Sequence, residues 1–451
     1  MQTGFRKILM WIGAIIVIAG CSNSATEPVG STQPSSASGG QAASSKANDG
    51  EAQTEITVLS WKFDPESDLW NNIVSAFNEK HPNIKVHAVN APTSEIDQKI
   101  TSMIAGKQPL DVLFTDSTRN LSFSSKGLLE DLGPYLEKSD IDLENDYYVK
   151  SLSDHMYQGK LHGLPILNMS YFVFYNKDLF DAAQVPYPTN DWTIEEFRET
   201  ALKLTNADKN QYGYNLRPWV GTHFLAWAYA MGGEYFSEDG SEALVTSPGT
   251  VAAMQFLKDL VYTDRSAPAP TAQAASQAGG VAFESGNLAM NWSGSWDIAG
   301  TEKTPSKWAF NWGVAMPPKG ESGSFPIVIS NAWGIYSKSP NKDAAWKFID
   351  WWMSDEGQMV LARNGEFPSK KNIALEHAFT HLDEETRSTV FMTVDQGVSR
   401  PTQFPAMPRS ETTFGARMEE VLASKNSDVA AIMETANQEL NQLIKDIAAG
   451  K

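Results

Sequence analysis

The sequence has 451 residues, a length that predicts about two domains rather than one small core. Its hydrophobic fraction of 41% is typical of a soluble protein. Its formal charge of −18 argues against a nucleic-acid partner, because phosphate binding needs a basic face. The chain has a single cysteine, so it forms no internal disulfide and its cores must hold it together.

The N-terminus reads as an export signal. The basic pair Arg6-Lys7 precedes an apolar run over residues 8–20, which suits a signal peptide and is shorter than the roughly 20 residues that span a bilayer. The run ends in Ile18-Ala19-Gly20-Cys21, which resembles the lipobox of bacterial lipoproteins; an uncleaved anchor or a conventional secretory signal is the alternative. We expect residues 1–20 to be a lipoprotein signal peptide and Cys21 to carry the lipid, which anchors the chain on the extracytoplasmic face of the cell membrane.

The composition after the lipobox changes to Ser, Ala, Gly, Gln and Thr. Such a segment buries too little apolar surface to order itself, so residues 21–54 are predicted to be a flexible tether. A tether of this kind is useful when the folded part must reach something close to the membrane.

Strands and helices alternate along the rest of the chain, which predicts βαβ units and a mainly parallel α/β sheet covered on both faces. β-Branched or alternating segments predict strands at residues 56–61, 84–89, 111–114, 171–175 and 288–292. Apolar residues at helical spacing predict helices near residues 69–77, 94–105, 194–204, 344–352 and 429–447. Thr193 and Glu196 predict a capping box at the start of the helix over 194–204.

Four stretches carry a family resemblance that extends over nearly the whole chain from Ile56 onward. They are Phe77–Val86, Gly163–Phe180, Gly286–Trp296 and Trp333–Phe348. In order and spacing these stretches resemble the family 1 extracellular solute-binding proteins, to which maltose-binding protein belongs. Such a protein captures a sugar or oligosaccharide and delivers it to the membrane permease of an ABC importer. The resemblance implies a binding protein that acts as a monomer, without catalysis and without a cofactor.

The resemblance also implies two α/β lobes, joined by hinge strands and holding the ligand in the cleft between them. The chain would cross between the lobes near residues 164–169, 328–332 and 395–404. The predicted limits are 55–166 and 333–397 for the first lobe, and 167–332 and 398–451 for the second.

Several polar and aromatic residues lie where predicted strands end, which is where ligands bind in open α/β sheets. Flat aromatic faces meet the C–H patches of a sugar, and carboxylate, amide and guanidinium groups meet its hydroxyls. On this basis the candidates in the first half are Trp61, Asp64, Asp116, Arg119 and Asn168. The alternatives are core packing for Trp61, an N-terminal helix cap or loop solvation for Asp64, and surface pairing for Arg119.

The second group of candidates is mainly aromatic. Trp292 and Trp296 flank a glycine-containing turn that lets the backbone approach a ligand, and the family resemblance places an aromatic platform here. Trp219 lies in a loop before a helix, Trp333 lies at the second crossing and Glu366 lies in a later loop. Trp333 either stacks on the ligand or packs the hinge.

Other classes of function remain open at this point. A glycoside hydrolase or lyase would need two carboxylates about 5–10 Å apart, and no motif pairs them. An adhesin would show repeats and all-β patterning, neither of which is present. The seven histidines form no tight cluster, which argues against a metal ligand. A polyamine, a peptide or a metal chelate bound by the same fold stays an alternative.

Overall fold

The computed structural model describes residues 53–269, 283–298, 308–401 and 404–450. The predicted signal peptide, Cys21 and the predicted tether as far as residue 52 lie outside the described residues. An eight-stranded sheet with the order β2-β1-β3-β10-β6-β8-β7, and with β9 beside β6, organises the fold. The strands, with a separate β4–β5 pair, are β1 (Thr54–Ser60), β2 (Ile84–Asn90), β3 (Val112–Asp116), β4 (Met156–Tyr157), β5 (Lys160–Leu161), β6 (Leu164–Asn176), β7 (Tyr212–Asn215), β8 (Leu288–Gly294), β9 (Trp312–Ala315) and β10 (Val328–Ile335).

Helices cover both faces of this sheet. In chain order they are α1 (Asp68–Lys80), α2 (Ile96–Ala105), α3 (Ser117–Ser125), α4 (Gly133–Leu136), α5 (Leu143–Asp146), α6 (Lys177–Ala183), α7 (Ile194–Lys203), α8 (Leu225–Ala230), α9 (Pro248–Tyr262), α10 (Lys342–Met353), α11 (Asp355–Arg363), α12 (Lys371–His377), α13 (Glu384–Asp395), α14 (Met407–Leu422) and α15 (Val429–Ala448). Among the residues described, none of the helices is both long and apolar enough to cross a membrane.

The first lobe, as we use the term, is built on β1, β2 and β3, which run parallel. Its cores contain Ile56, Phe114 and Trp333 together with the buried faces of α1 and α10. Side-chain oxygens cap two of its helices: Ser67 accepts from the backbone N–H of Trp70 in α1, and Asp116 accepts from that of Arg119 in α3.

The second lobe is built on β7 and β8 and on the far end of β6. Its main core joins Tyr171, Trp227 and Phe414 and receives the buried faces of α9, α14 and α15. The predicted capping box is confirmed, because Thr193 and Glu196 exchange both side-chain-to-backbone hydrogen bonds at the start of α7.

Three chain segments lie side by side between the two lobes. β6 is 13 residues long and pairs with β10 through its first half and with β8 through its second half. The third segment follows α13, and the Val398 carbonyl accepts from the Val328 N–H at 2.9 Å. A Cβ at Gly397 would collide with Val328, so the glycine allows this close approach.

The expected mainly parallel sheet is wrong. β1–β2, β1–β3 and β7–β8 are parallel, whereas β3–β10, β10–β6, β6–β8 and β6–β9 are antiparallel. The physical reason is that β6 and β10 connect the lobes directly and need no helical crossover to pair with their neighbours. The predicted strands and helices are all present, and most of their ends move by a few residues, but the strand predicted at 171–175 is only the second part of β6, which begins at Leu164.

The predicted lobe limits stay a prediction. Helices α12 and α13 share a core with Phe172 and Phe174 of β6, through Ala374, Phe379 and Val390. The prediction places both helices in the first lobe but places Phe172 and Phe174 in the second. The position of the last crossing between the lobes, predicted after residue 397, therefore stays a prediction.

Candidate functional site

Trp61, Asp116 and Arg119 come together at the ends of β1 and β3. The Trp61 ring lies 4.7 Å from that of Phe114, centroid to centroid, and the Arg119 guanidinium carbon lies 4.9 Å above it. Arg119 also forms an ion pair with Asp116 and donates to the Thr93 carbonyl at 2.7 Å. Trp61 is therefore held between an aromatic ring and a cation, and the orientation of Asp116 is fixed by its own helix.

Glu366 is connected to the same region through an ion pair with Lys62, the residue that follows Trp61. The Lys62 ammonium lies 2.9 Å from the Glu366 carboxylate, and both side chains are about four-fifths buried. Asp64 is exposed, and its carboxylate accepts the Glu66 N–H at 2.9 Å within the loop before α1, whereas the residue that caps α1 is Ser67.

The position of the Trp296 ring depends on Gly294, two residues before it. Gly294 ends β8 opposite Tyr171 of β6, and a Cβ on Gly294 would occupy the space of the Trp296 ring. Trp296 therefore folds back over the strand end and meets Tyr171 edge-on, with centroids 4.9 Å apart. Its side chain remains 38% exposed.

Trp219 is the second exposed tryptophan, at 46%, and it opens a π-helical turn over Val220–Phe224. Its ring meets that of His223 at 5.2 Å, and His223 in turn meets Tyr171 at 5.5 Å. Trp219, His223, Tyr171 and Trp296 thus form an aromatic row with an exposed tryptophan at each end. Single π-helical turns occur frequently at functional sites.

His223 is neutral and its hydrogen bonds are directional. Burial lowers its pKa to about 3, so it carries one ring proton at neutral pH. Nε2 lies 3.0 Å from the Trp292 carbonyl, which only accepts, so the proton is on Nε2. Nδ1 must then accept from the Thr222 hydroxyl, 3.0 Å away. This bonding fixes the ring that lies between Trp219 and Tyr171.

Two of the expected stacking residues are corrected by their burial. Trp292 is 1% exposed and packs against Trp227 with centroids 4.9 Å apart. Trp333 is 0% exposed and lies 4.8 Å from Phe114 in the core of the first lobe. Both point inward from the middle of a strand, whereas Trp296 lies beyond a strand end. We therefore remove Trp292 and Trp333 from the candidate site.

Asn168 lies on β6 between the lobes. It is 1% exposed, and neither its amide oxygen nor its amide nitrogen has a hydrogen-bond partner within the described part of the chain. It pairs in register with Ser330 of β10, whose hydroxyl lies 2.8 Å from Nε2 of His155. Asn168 therefore sits in a buried polar region between the lobes, with unused hydrogen-bonding capacity.

Arg400 is the main residue that the sequence reasoning missed. It follows the third inter-lobe segment, is 8% exposed, and lies 3.1 Å from the Glu411 carboxylate of α14. It also donates to the hydroxyl of Ser117, the residue after Asp116. Gly221, in the π-helical turn that contains His223, packs against Arg400 and Glu411. Arg400 therefore links the aromatic row to the residue that follows Asp116. No local signal marks Arg400, since Ser117 is 283 positions away in sequence.

The charged side chains of this region occur mostly as pairs. Lys62 faces Glu366, Arg119 faces Asp116 and Arg400 faces Glu411. Arg217 instead lies with its guanidinium carbon 5.0 Å above the Trp219 ring. Among the residues described there is no group of three or more His, Cys, Asp or Glu side chains that could hold a metal ion.

The bacterial extracellular solute-binding protein family model matches residues 64–359, which is more than half of the chain. The chain belongs to this family. Relatives include the galactooligosaccharide-binding protein of Bacillus subtilis (strain 168), which is 24% identical over 418 residues, covering 89% of this chain and 92% of the relative. The maltotriose-binding protein of Pyrococcus abyssi (strain GE5 / Orsay) is 23% identical, covering 83% of this chain and 79% of the relative.

A solved structure of similar fold is the ABC substrate-binding protein of Listeria monocytogenes in complex with cycloalternan. It superposes with a TM-score of 0.78 at 25% sequence identity, covering 87% of this chain and 99% of that protein. The two-lobed α/β fold expected of this solute-binding protein from its sequence is therefore confirmed.

Proposed function

We propose that this solute-binding protein captures an oligosaccharide outside the cell and delivers it to the permease of an ABC importer. The observation that carries the proposal is the aromatic row. Trp219 and Trp296 are the exposed tryptophans of the described chain, whereas the others that it contains are buried or half-buried. Exposed rings at a cleft have a use when a ligand covers them.

The geometry of the row favours a ligand longer than one sugar ring. His223 and Tyr171 separate the two exposed tryptophans, and each of the three ring contacts is about 5 Å between centroids. A ligand that stacks on both Trp219 and Trp296 must extend past two intervening rings. This supports an oligosaccharide over a monosaccharide.

The pairing of charges favours a neutral ligand. A polyamine needs carboxylates to bind its ammonium groups, but Asp116, Glu366 and Glu411 each already face a cation. Recruiting Glu411 would leave the buried Arg400 without its ion-pair partner, which is costly. A neutral polyol can instead add hydrogen bonds to these pairs without breaking them.

The same pairing argues for binding without catalysis. A glycoside hydrolase requires a carboxyl group that is available to protonate the leaving group. The carboxylates of this region are engaged with Lys62, Arg119 and Arg400. The names of the relatives, which describe proteins that bind maltotriose and galactooligosaccharide, agree with a carbohydrate ligand.

The export and delivery steps rest on the sequence and on the family. We propose that Cys21 carries a lipid and that the closed lobes dock on a membrane permease. Cys21→Ser should release the protein into the medium or leave an unprocessed precursor, as detected by fractionation and mass spectrometry. A Cys21→Ser chain that is still cleaved, acylated and membrane-bound would contradict the anchor.

The ligand is tested by thermal shift against maltotriose, galactooligosaccharides, chitooligosaccharides, cycloalternan and spermidine. A ligand at 100 times its Kd adds about 2.7 kcal/mol to the free energy of unfolding. Calorimetry of Trp219→Ala and Trp296→Ala should then show a loss of roughly 1–3 kcal/mol of binding free energy. Tyr187→Ala is the matched control, since Tyr187 is exposed but packs on Tyr175 outside the row. Stabilisation by spermidine alone would favour the polyamine alternative.

A further inference from the structure

Arg400 occupies the place where the two lobes touch on the side of the candidate site. Its Nη2 donates to the Ser117 hydroxyl and lies 3.4 Å from the Thr118 hydroxyl. Both residues open α3 of the first lobe. Its Nη1 lies 3.1 Å from Oε1 of Glu411, on α14 of the second lobe. One guanidinium therefore holds hydrogen-bond partners from both lobes.

The surrounding residues are shaped to this arrangement. A Cβ on Gly221 would collide with the Glu411 carboxylate and press on the Arg400 side chain, so the glycine leaves room for the pair. Helices α3 and α14, which belong to different lobes, are in contact here. Asp116 and Asp154 add further negative potential around the guanidinium.

The two halves of the contact differ in what happens when the lobes separate. Arg400 and Glu411 are 11 residues apart and both belong to the second-lobe side, so their pair survives. The bonds to Ser117 and Thr118 cross between lobes and must be replaced by water. A hydrogen bond to a charged group is worth more than a neutral one, so the crossing bonds favour the closed arrangement.

We propose that Arg400 is a positioning residue that acts as an inter-lobe clasp and sets how often the lobes are closed before any ligand arrives. The ligand-binding consequence rests on the proposed function, since the apparent affinity falls in proportion to the closed fraction. Loss of the clasp should therefore weaken every ligand of the cleft by the same factor. A residue that touches ligand would instead weaken some ligands more than others.

The test uses the full chain carrying Cys21→Ser, with donor and acceptor dyes at Ser102→Cys and Asn426→Cys. Both positions are exposed, and they lie on the first and second lobes respectively. Single-molecule energy transfer without ligand should show a closed-to-open ratio reduced about tenfold in Ser117→Ala and in Arg400→Gln. The double variant should add little to Arg400→Gln alone, because that change already removes the bonds to both Ser117 and Thr118.

Arg417→Gln is the matched control, because Arg417 lies on the same helix as Glu411 and pairs with Glu439 of α15 at 3.0 Å within one lobe. It should leave the closed fraction unchanged. Ser117→Ala keeps all charges in place, so it decides the matter if Arg400→Gln proves unstable. A closed fraction equal to wild type in Ser117→Ala would overturn the clasp.

Calorimetry with maltotriose and with a galactooligosaccharide separates this failure from failure of the proposed function. If Arg400→Gln lowers the affinity for both sugars by the same factor, the result supports the clasp. If the two factors differ, Arg400 contacts the ligand directly and the clasp is overturned. If neither sugar binds wild type, the choice of ligand fails, but the ligand-free energy-transfer result still decides whether the clasp exists.

Discussion

The two sides of the candidate site differ in how their side chains are held. On the first lobe, Trp61 lies under Arg119, and the polar groups are already paired as ions. On the second lobe, the exposed rings of Trp219 and Trp296 are held at their edges by His223 and Tyr171. One side offers oriented hydrogen-bonding groups and the other offers two exposed aromatic rings, with Arg217 packed over that of Trp219. We therefore propose that the first lobe contributes mainly selectivity and the second lobe mainly stacking area.

The sharpest way to test the comparison is to contrast a core tryptophan with a candidate stacking tryptophan on each side. Trp333→Ala and Trp292→Ala remove buried rings, so each should lower the free energy of unfolding by about 3–5 kcal/mol. Trp61→Ala and Trp296→Ala should cost much less, because their rings are partly open to solvent. Urea denaturation of the four variants measures the difference. A large loss of stability in Trp296→Ala with unchanged ligand affinity would show that Trp296 stabilises the fold and does not stack on the ligand.

Acidification should destabilise both sides through one buried histidine each. Burial lowers the pKa of His155 to about 4 and that of His223 to about 3, below their ordinary 6.5. Below about pH 6.5, therefore, both histidines become protonated in the unfolded chain while they stay neutral in the folded chain. The contribution of the two histidines to the free energy of unfolding is fully present above about pH 6.5. It falls by about 1.4 kcal/mol per pH unit for each histidine as the pH drops towards 4.

Denaturation at pH 7, 6 and 5 checks this slope, and two variants divide it between the sides. His155→Gln should remove the share from beside α3, and His223→Gln the share from the aromatic row. If neither variant reduces the slope, other groups cause the acid sensitivity. His223→Gln should in addition weaken ligand binding, because it removes the ring that lies between Trp219 and Tyr171.

The smallest expected effect concerns the Lys62–Glu366 pair at the rim of the first lobe. Both side chains are about one-fifth exposed, so breaking the pair with Glu366→Gln should lower the free energy of unfolding by less than about 1 kcal/mol. Its influence on selectivity should be larger, because Lys62 becomes free to bind an anionic sugar. Comparing a neutral oligosaccharide with its uronic-acid counterpart measures this. Unchanged preference would remove Lys62 and Glu366 from the site.

The sequence by itself determined the family and the elements, and it proposed several residues of the candidate site. Periodicity located strands and helices, since side-chain alternation depends only on neighbours along the chain, and the Thr193–Glu196 capping box spans four residues. Gly294, two residues before Trp296, leaves room for the Trp296 ring, and this signal was also local. The sequence also led to Trp219 and Asp116.

Tertiary structure alone decided which tryptophans are buried and how the lobes connect. Trp292 and Trp296 are four residues apart, yet one packs on Trp227 and the other is exposed, because burial depends on helices that return from elsewhere in the chain. The antiparallel pairing of β6 and β10 and the contact of Arg400 with Ser117 likewise join residues more than 150 positions apart. Free energy from such contacts depends on distance in space, which no local pattern in a single sequence encodes.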